Sequence, residues 1–276
     1  MQKTVLITGA SSGIGADSAR LLIAEGFNVV VTVRKSEDEA ALVKQYKEKI
    51  KIVKIDLTQF SEIEKLPQIL GDLGVNQIYG LINNAGVALA APFLHQPFSE
   101  IQQIFNVNVL GVMKVTQVLI PMIEKNGRII NISSVAGKSA APFLAIYAAS
   151  KHAIEGFSEA LRKELILLGI KVIIVAPGSI KTPIWQKGFT EIKDAYNQTA
   201  FAKPFSLFMK FAQSEVSHAL EVSEVSSVIL EALNSENPKL RYAPIPRKLM
   251  NWYFPKLIPA KLYDYLTAKT LGLLPK

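Results

Sequence analysis

The 276-residue chain predicts an α/β fold: a doubly wound parallel sheet of about seven strands with helices on both faces. Three observations carry this. Short β-branched apolar runs alternate with longer amphipathic stretches. The first run passes straight into a glycine turn and then a helical pattern. No internal repeat or low-complexity linker breaks the rhythm.

The elements follow in order. Thr4-Val5-Leu6-Ile7-Thr8 is β-rich and apolar, and the stretch after its turn places Ala19, Leu22, Ile23 and Phe27 at helical spacing. Strands are expected near 3–8, 28–33, 50–55, 78–83, 127–132, 170–176 and 239–243. Helices are expected near 14–26, 37–48, 60–72, 98–124, 146–168 and 223–234. Residues 179–222 interrupt the alternation and are rich in large apolar side chains: Trp185, Phe189, Phe201, Phe205, Phe208, Met209 and Phe211. Phe201, Phe205 and Phe208 fit one helical face, which either packs on the sheet or forms the inner wall of a lid.

The turn after the first strand reads Gly9-Ala10-Ser11-Ser12-Gly13-Ile14-Gly15. Glycines there allow a tight turn and a close backbone approach to a diphosphate. The free N–H groups and positive dipole end of the following helix then hold that anion. The second strand ends in Val33-Arg34-Lys35. A carboxylate near its end would bind the ribose 2′-hydroxyl of NAD, whereas Val33 stands in that place and a guanidinium follows. Arg34 suits a 2′-phosphate, so NADP(H) is expected over NAD(H).

Tyr147 and Lys151 are four residues apart, which on a helix puts both on one face. An ammonium beside a phenol favours the phenolate, so Lys151 is expected to lower the Tyr147 pKa and ready it for proton transfer. Alone, this pair is common on helix surfaces. Ser134, thirteen residues upstream, and the glycine turn give it meaning.

With these motifs in order, the chain resembles the short-chain dehydrogenase/reductase family from residue 3 to about residue 183. The resemblance implies a Rossmann-type sheet with Gly9, Gly13 and Gly15 as the cofactor turn, Ser11, Ser12 and Ile14 within it. It implies that Asp56, followed by Leu57, contacts the adenine amino group. Asn83-Asn84-Ala85-Gly86 would lie beside the adenosine. Pro177-Gly178-Ser179-Ile180-Lys181-Thr182 would lie near the nicotinamide, with backbone groups of Ile180 and the hydroxyl of Thr182. The catalytic set implied is Asn108, Ser134, Tyr147 and Lys151. Tyr147 exchanges the proton, Lys151 also binds the nicotinamide ribose, Ser134 holds the substrate oxygen, and Asn108 fixes a relay water. One departure stands out: Ser12 occupies the place where many NADPH-preferring members carry a basic residue, so preference rests on Arg34 with help from Ser11. Thr32-Val33-Arg34 and Pro238-Lys239-Leu240-Arg241-Tyr242 resemble the 17β-hydroxysteroid dehydrogenase type 1 and retinol dehydrogenase branch. This implies a bulky, apolar ketone or alcohol as substrate: steroid-, retinoid- or lipid-like.

Composition limits the alternatives. Absence of cysteine excludes disulfides, thiolate metal sites and cysteine nucleophiles. His95, His152 and His218 show no metal-ligand spacing, and His218 is a candidate for a distal substrate oxygen. No metal is expected. No apolar run reaches the length of a membrane span and no secretory signal opens the chain, so a cytoplasmic enzyme is expected. The net charge of +8 is concentrated near the end. Residues 239–276 hold eight basic residues and one acid, with Trp252, Tyr253, Phe254, Tyr263 and Tyr265. This short helical extension, about 245–276, suits packing at the substrate site, a homodimer or homotetramer contact, or peripheral contact with an anionic membrane. Terminal charge without a recognition motif argues against nucleic acid. Residues 1–276 are expected to form one dehydrogenase domain. Two other classes remain: a non-catalytic NADP(H)-binding sensor or scaffold, and an epimerase or dehydratase that uses the nicotinamide transiently.

Overall fold

The computed structural model describes residues 2–184, 196–248, 252–253 and 257–275. Trp185, Phe189 and Phe254 lie outside these. Seven parallel strands form one sheet: β1 (Thr4–Ile7), β2 (Asn28–Val33), β3 (Ile50–Lys54), β4 (Ile78–Asn83), β5 (Ile123–Ile132), β6 (Lys171–Val175) and β7 (Arg241–Tyr242), in the order β3-β2-β1-β4-β5-β6-β7. The described helices are α1 (Gly13–Ala24), α2 (Ser36–Tyr46), α3 (Phe60–Glu64), α4 (Leu66–Asp72), α5 (Phe98–Phe105), α6 (Val112–Leu119), α7 (Ala145–Glu164), α8 (Ala202–Val216), α9 (Val222–Asn234) and α10 (Ala260–Leu271).

The strands are apolar on both faces because both are covered. In β1, Val5 and Ile7 join one core while Leu6 joins the other; in β2, Val29 and Val31 face opposite to Val30. Leu22 of α1, Leu42 of α2 and Val225 and Ile229 of α9 fill the first core. Ile63, Leu66 and Leu70 of α3 and α4, Leu119 of α6 and Leu161 of α7 fill the second. Each such side chain contributes roughly 1.5–3 kcal/mol when fully buried.

Several boundaries differ from the sequence expectation. The helix expected over 60–72 is two, because Pro67 lacks the N–H that would continue the first and instead starts the second. The helix expected over 98–124 contains a π-helical segment, Asn106–Gly111, and closes with a 3-10 turn at Pro121. Strand β5 therefore begins at Ile123, not 127, and β7 shrinks to Arg241–Tyr242. The continuous run Phe98–Met122 is long and apolar enough to cross a membrane, where no such run was expected. Half of its apolar window is buried inside the fold, with α5 against α7 and α6 against α3 and α4.

The interrupting segment is closed at its base by a bridge between Ile180 and Leu220. Phe205, Phe208 and Met209 of α8 are buried with Phe143, Tyr196 and Leu271, and Phe201 packs against them. The α8 face thus packs on the loop before α7 and on α10 rather than on the sheet, and Phe211 points outward at 55% exposure. On α10, Leu262, Tyr265 and Leu266 are exposed beside Lys261 and Lys269.

A polar ladder crosses the second core. Asn83 Nδ2 donates to Thr116 Oγ1 (2.9 Å) and to Asn131 Oδ1 (2.8 Å); Asn131 Nδ2 donates to Ser158 Oγ (2.8 Å). It ties β4 and β5 to α6 and α7, and Asn131 is fully buried. Replacing Asn131 by Ala strips both bonds and opens a void. Equilibrium urea unfolding is expected to show a loss of about 3 kcal/mol with an unchanged slope.

Candidate active site

At the carboxyl end of the sheet, β1 and β4 are neighbours whose following loops part, which opens a crevice at the point where strand order reverses. Asn84 stitches the crevice floor. Its Nδ2 donates to the carbonyls of Thr8 (3.0 Å) and Gly9 (2.8 Å), while Thr8 Oγ1 accepts the N–H groups of Asn84 and Ala85. The glycine turn is seated by backbone contact. Gly9 has φ +68°, and a Cβ there would meet Ala85 Cα at 2.7 Å. At Gly15 a Cβ would come within 2.5 Å of Asn84 Nδ2 and the Gly9 carbonyl. Ser12 precedes α1 in extended conformation and makes no side-chain cap. The first N–H groups of α1 are therefore left without a capping side chain, with Ser12, Gly13 and Ile14 lining the crevice.

One continuous cleft of about 720 Å³ runs from this turn to the predicted catalytic residues. Gly9, Ser11, Ser12, Gly13 and Ile14 line it, as do Arg34, Asp56, Leu57, Asn84, Ala85 and Gly86. At its other end are Ser134, Tyr147, Lys151, Pro177, Gly178, Ile180 and Thr182. Gly15 and Asn108 lie beneath its wall. Arg34 is exposed at the rim with Lys35 and Asp38. Asp56 Oδ1 accepts the Thr58 N–H and hydroxyl, which fixes its loop.

The catalytic end is built from three segments. Ser134 follows β5 and opens a 3-10 turn, its Oγ accepting the Ala136 N–H at 3.1 Å. Tyr147 and Lys151 lie one turn apart on the buried face of α7, both 6% exposed. The Lys151 ammonium sits 5.8 Å from the Tyr147 ring centre and donates to the Ile132 carbonyl at 2.9 Å. Asn108 comes from the π-helical segment, a local irregularity that recurs at functional sites. Its Oδ1 accepts the Val87 N–H, and its Nδ2 donates to the Val87 carbonyl and to Ser150 Oγ. Asn108 and Lys151 both approach Gly86, Oδ1 and Nζ lying 3.4 and 3.8 Å from where a Cβ would stand.

Burial dominates the electrostatics. It pushes the Tyr147 phenol up to about 12, against a hydrogen bond with Ser134 that acts the other way. It pushes Lys151 down to about 8, against the favourable charge of Glu155. The sequence expectation that Lys151 lowers the Tyr147 pKa is corrected here. Desolvation of the phenolate is the largest effect on it, while the Lys151 ammonium is engaged by the Ile132 backbone carbonyl.

Sequence reasoning missed several participants. Thr8 and Thr32 secure the turn, the latter accepting the Gly9 N–H on Oγ1 at 3.2 Å. Ser150 supports Asn108. Phe143, at φ +66°, holds a strained backbone just before α7 and accepts the Ala91 N–H on its carbonyl. No periodic signal announces such contacts. Conversely, His218 is exposed, bonds Ser217 and does not line the cleft. None of Phe201, Phe205 and Phe208 lines it either.

Comparison with known proteins identifies the family. The short chain dehydrogenase family model matches residues 3–193. The NADPH-dependent 3-dehydrocapnine reductase of Ornithobacterium rhinotracheale is 34% identical over 273 residues, covering 96% of each chain. Dehydrogenase/reductase SDR family member 9 of Homo sapiens is 31% identical over 287 residues, covering 97% of this chain and 88% of that protein. Among solved structures, a short-chain dehydrogenase from Streptomyces avermitilis matches with a TM-score of 0.77 at 28% identity, covering 99% of this chain and 97% of that one. The chain belongs to the short-chain dehydrogenase/reductase family and is an oxidoreductase of that kind.

Proposed function

We propose that this protein reduces a bulky, apolar ketone or aldehyde to an alcohol with NADPH, through Tyr147, Ser134, Lys151 and Asn108. The observation that carries the reading is the single cleft that joins a glycine turn and a basic rim to this tetrad. The dinucleotide fits what is there: a glycine turn and an α1 N-terminus without a side-chain cap for the diphosphate, and Arg34 with Lys35 for a 2′-phosphate. The similarity to a reductase named as NADPH-dependent supports the same choice.

When bound, the nicotinamide supplies the hydride. The chain supplies everything else. Ser134 hydrogen-bonds the carbonyl oxygen and stabilises the charge that develops on it. Tyr147 delivers the proton to that oxygen. Lys151 holds the nicotinamide ribose and, as a cation, favours the phenolate left behind. Asn108, fixed by Val87 and Ser150, orients the relay that reprotonates this pair. At neutral pH a phenol near 12 carries its proton and an ammonium near 8 is still charged, the states from which carbonyl reduction starts. Beside Tyr147 the cleft is lined by Val87, Ala88, Leu89 and Ile184, an apolar wall that supports an apolar substrate. The complete tetrad supports net redox turnover over a sensor or a transient nicotinamide use.

Two outcomes test this. With a ketone panel from short-chain to steroid, retinal and long-chain carbonyls, Tyr147→Phe is expected to lower NADPH oxidation by about 10³-fold while its NADPH affinity stays within a few-fold. Retained turnover overturns the role of Tyr147. Arg34→Leu is expected to move the NADPH-to-NADH ratio of kcat/KM toward NADH by about 10- to 100-fold, the equivalent of one charge-assisted bond. An unchanged ratio removes Arg34 from cofactor selection.

A further inference from the structure

Below the tetrad lies a buried charge that the mechanism above does not use. Glu155 is one turn past Lys151 on the same face of α7, with its side chain 2% exposed. Two other elements converge on it. From β7, Arg241 Nε donates to Oε2 at 3.2 Å and to Oε1 at 3.4 Å, and its Nη2 donates to Oε1 at 3.3 Å. From the turn that begins with Ser134, Lys138 Nζ stands 4.0 Å from Oε2 and 3.3 Å from Glu159 Oε1. In the same turn, Gly137 leaves room for Glu155: a Cβ there would meet Glu155 Cγ at 2.9 Å. Arg241 is in turn covered by Trp252, whose ring centre is 5.2 Å from the guanidinium carbon.

We propose that Glu155 is a positioning residue of the reaction, a buried counter-charge that keeps Lys151 an ammonium and clamps the Ser134 turn, α7 and β7 in one register. It rests on the reductase reading of Tyr147 and Lys151. Tyr147 of α7 faces Lys151 and Asn108 of the π-helical segment meets it at Gly86, while Glu155 carries Lys138 of the turn after β5 and Arg241 of β7. Among these described groups Glu155 is the one acid, set among three cations. A carboxylate there offsets the low-dielectric penalty on the lysine charge, and its favourable charge acts on Lys151 against burial. Removing it leaves the Arg241 guanidinium without its buried carboxylate and Lys151 without that favourable charge.

The test is the titration of Lys151 itself, followed through its 13Cε resonance from pH 6 to 11 and assigned by its loss in Lys151→Arg. The wild-type midpoint is expected near about 8. Glu155→Gln, which keeps shape and removes charge, is expected to lower it by about one pH unit. Lys138→Met, at a half-exposed position, removes a cation and is expected to raise it by a smaller amount. A midpoint unmoved in folded Glu155→Gln overturns the proposal. Where that variant does not fold, an unmoved or lowered midpoint in Lys138→Met overturns it. A purely structural role would leave the titration in place. The alkaline limb of kcat for carbonyl reduction should shift with the midpoint. Because the titration needs no turnover, absence of activity toward any ketone counts against the reductase reading alone.

Discussion

The parting of β1 and β4 is the constraint on which the rest of the molecule depends. These strands are hydrogen-bonded neighbours to their last residues, yet the chains leaving them turn away on opposite sides of the sheet. A crevice is unavoidable there, and its floor is backbone that no further strand can pair. Thr8 and Asn84 resolve this with their side chains, which satisfy the orphaned N–H and carbonyl groups of both loops. Glycine at positions 9 and 15 follows from that closeness, since the stitched loops leave no volume for a Cβ. The N-terminus of α1 is thereby aimed along the crevice. Anion binding is a consequence of sheet topology before it is a property of any side chain.

Helix α7 carries the opposing problem. Its buried face holds Tyr147, Lys151, Glu155 and Ser158 at successive turns, interleaved with Ile154 and Leu161. The polar members contribute less to stability than apolar ones would. Lys151 shows the direction of this effect. Its folded value near 8 lies below the ordinary 10.5, so between those values the unfolded chain binds more protons. Its contribution to stability is full above 10.5 and is lost as pH falls through 8. At neutral pH the enzyme therefore holds a charge that disfavours folding. The Asn83–Asn131–Ser158 ladder and the Leu161 core beside it anchor α7 against that tendency.

Much of the fold was legible because parallel strands buried on both faces write themselves as unbroken apolar runs, and the glycine turn fixed where the first strand stops. Pairs at local spacing were legible too: Tyr147 with Lys151, and Val33 with Arg34. What escaped was either a proline effect inside an apolar pattern, as at Pro67 and Pro121, or a non-local contact. The π-helical segment around Asn108 looks like ordinary helix in sequence, since its extra residue per turn preserves composition. Burial also escaped. The Tyr147–Lys151 spacing gives proximity along a helix, but the balance between desolvation and charge depends on where Ile132, Ser134 and Ala136 close over the pair. The phenylalanine-rich segment was legible as an apolar helical face, but whether it met the sheet or lined a lid stayed open, because periodicity identifies a buried face without naming what covers it.

The segment Pro238-Lys239-Leu240-Arg241-Tyr242 shows how a short local match acquires a physical meaning. In sequence it is a resemblance and an expected strand over 239–243. In the fold, β7 is the last strand at the sheet edge, held by two residue pairs to β6. Tyr242 is buried and its hydroxyl accepts the Lys239 N–H, which sets the turn into the strand. Arg241 then points the other way, as alternation along a strand requires, and reaches Glu155. A two-residue strand gains little from its own ladder. Its register is set by side chains, a buried tyrosine on one face and a buried ion pair on the other. Glu155 of that ion pair lies one turn past Lys151 on α7 and acts on its charge, so the edge strand and Lys151 share one electrostatic unit. Trp252, on the Arg241 guanidinium, links the C-terminal part of the chain by contact to that same unit.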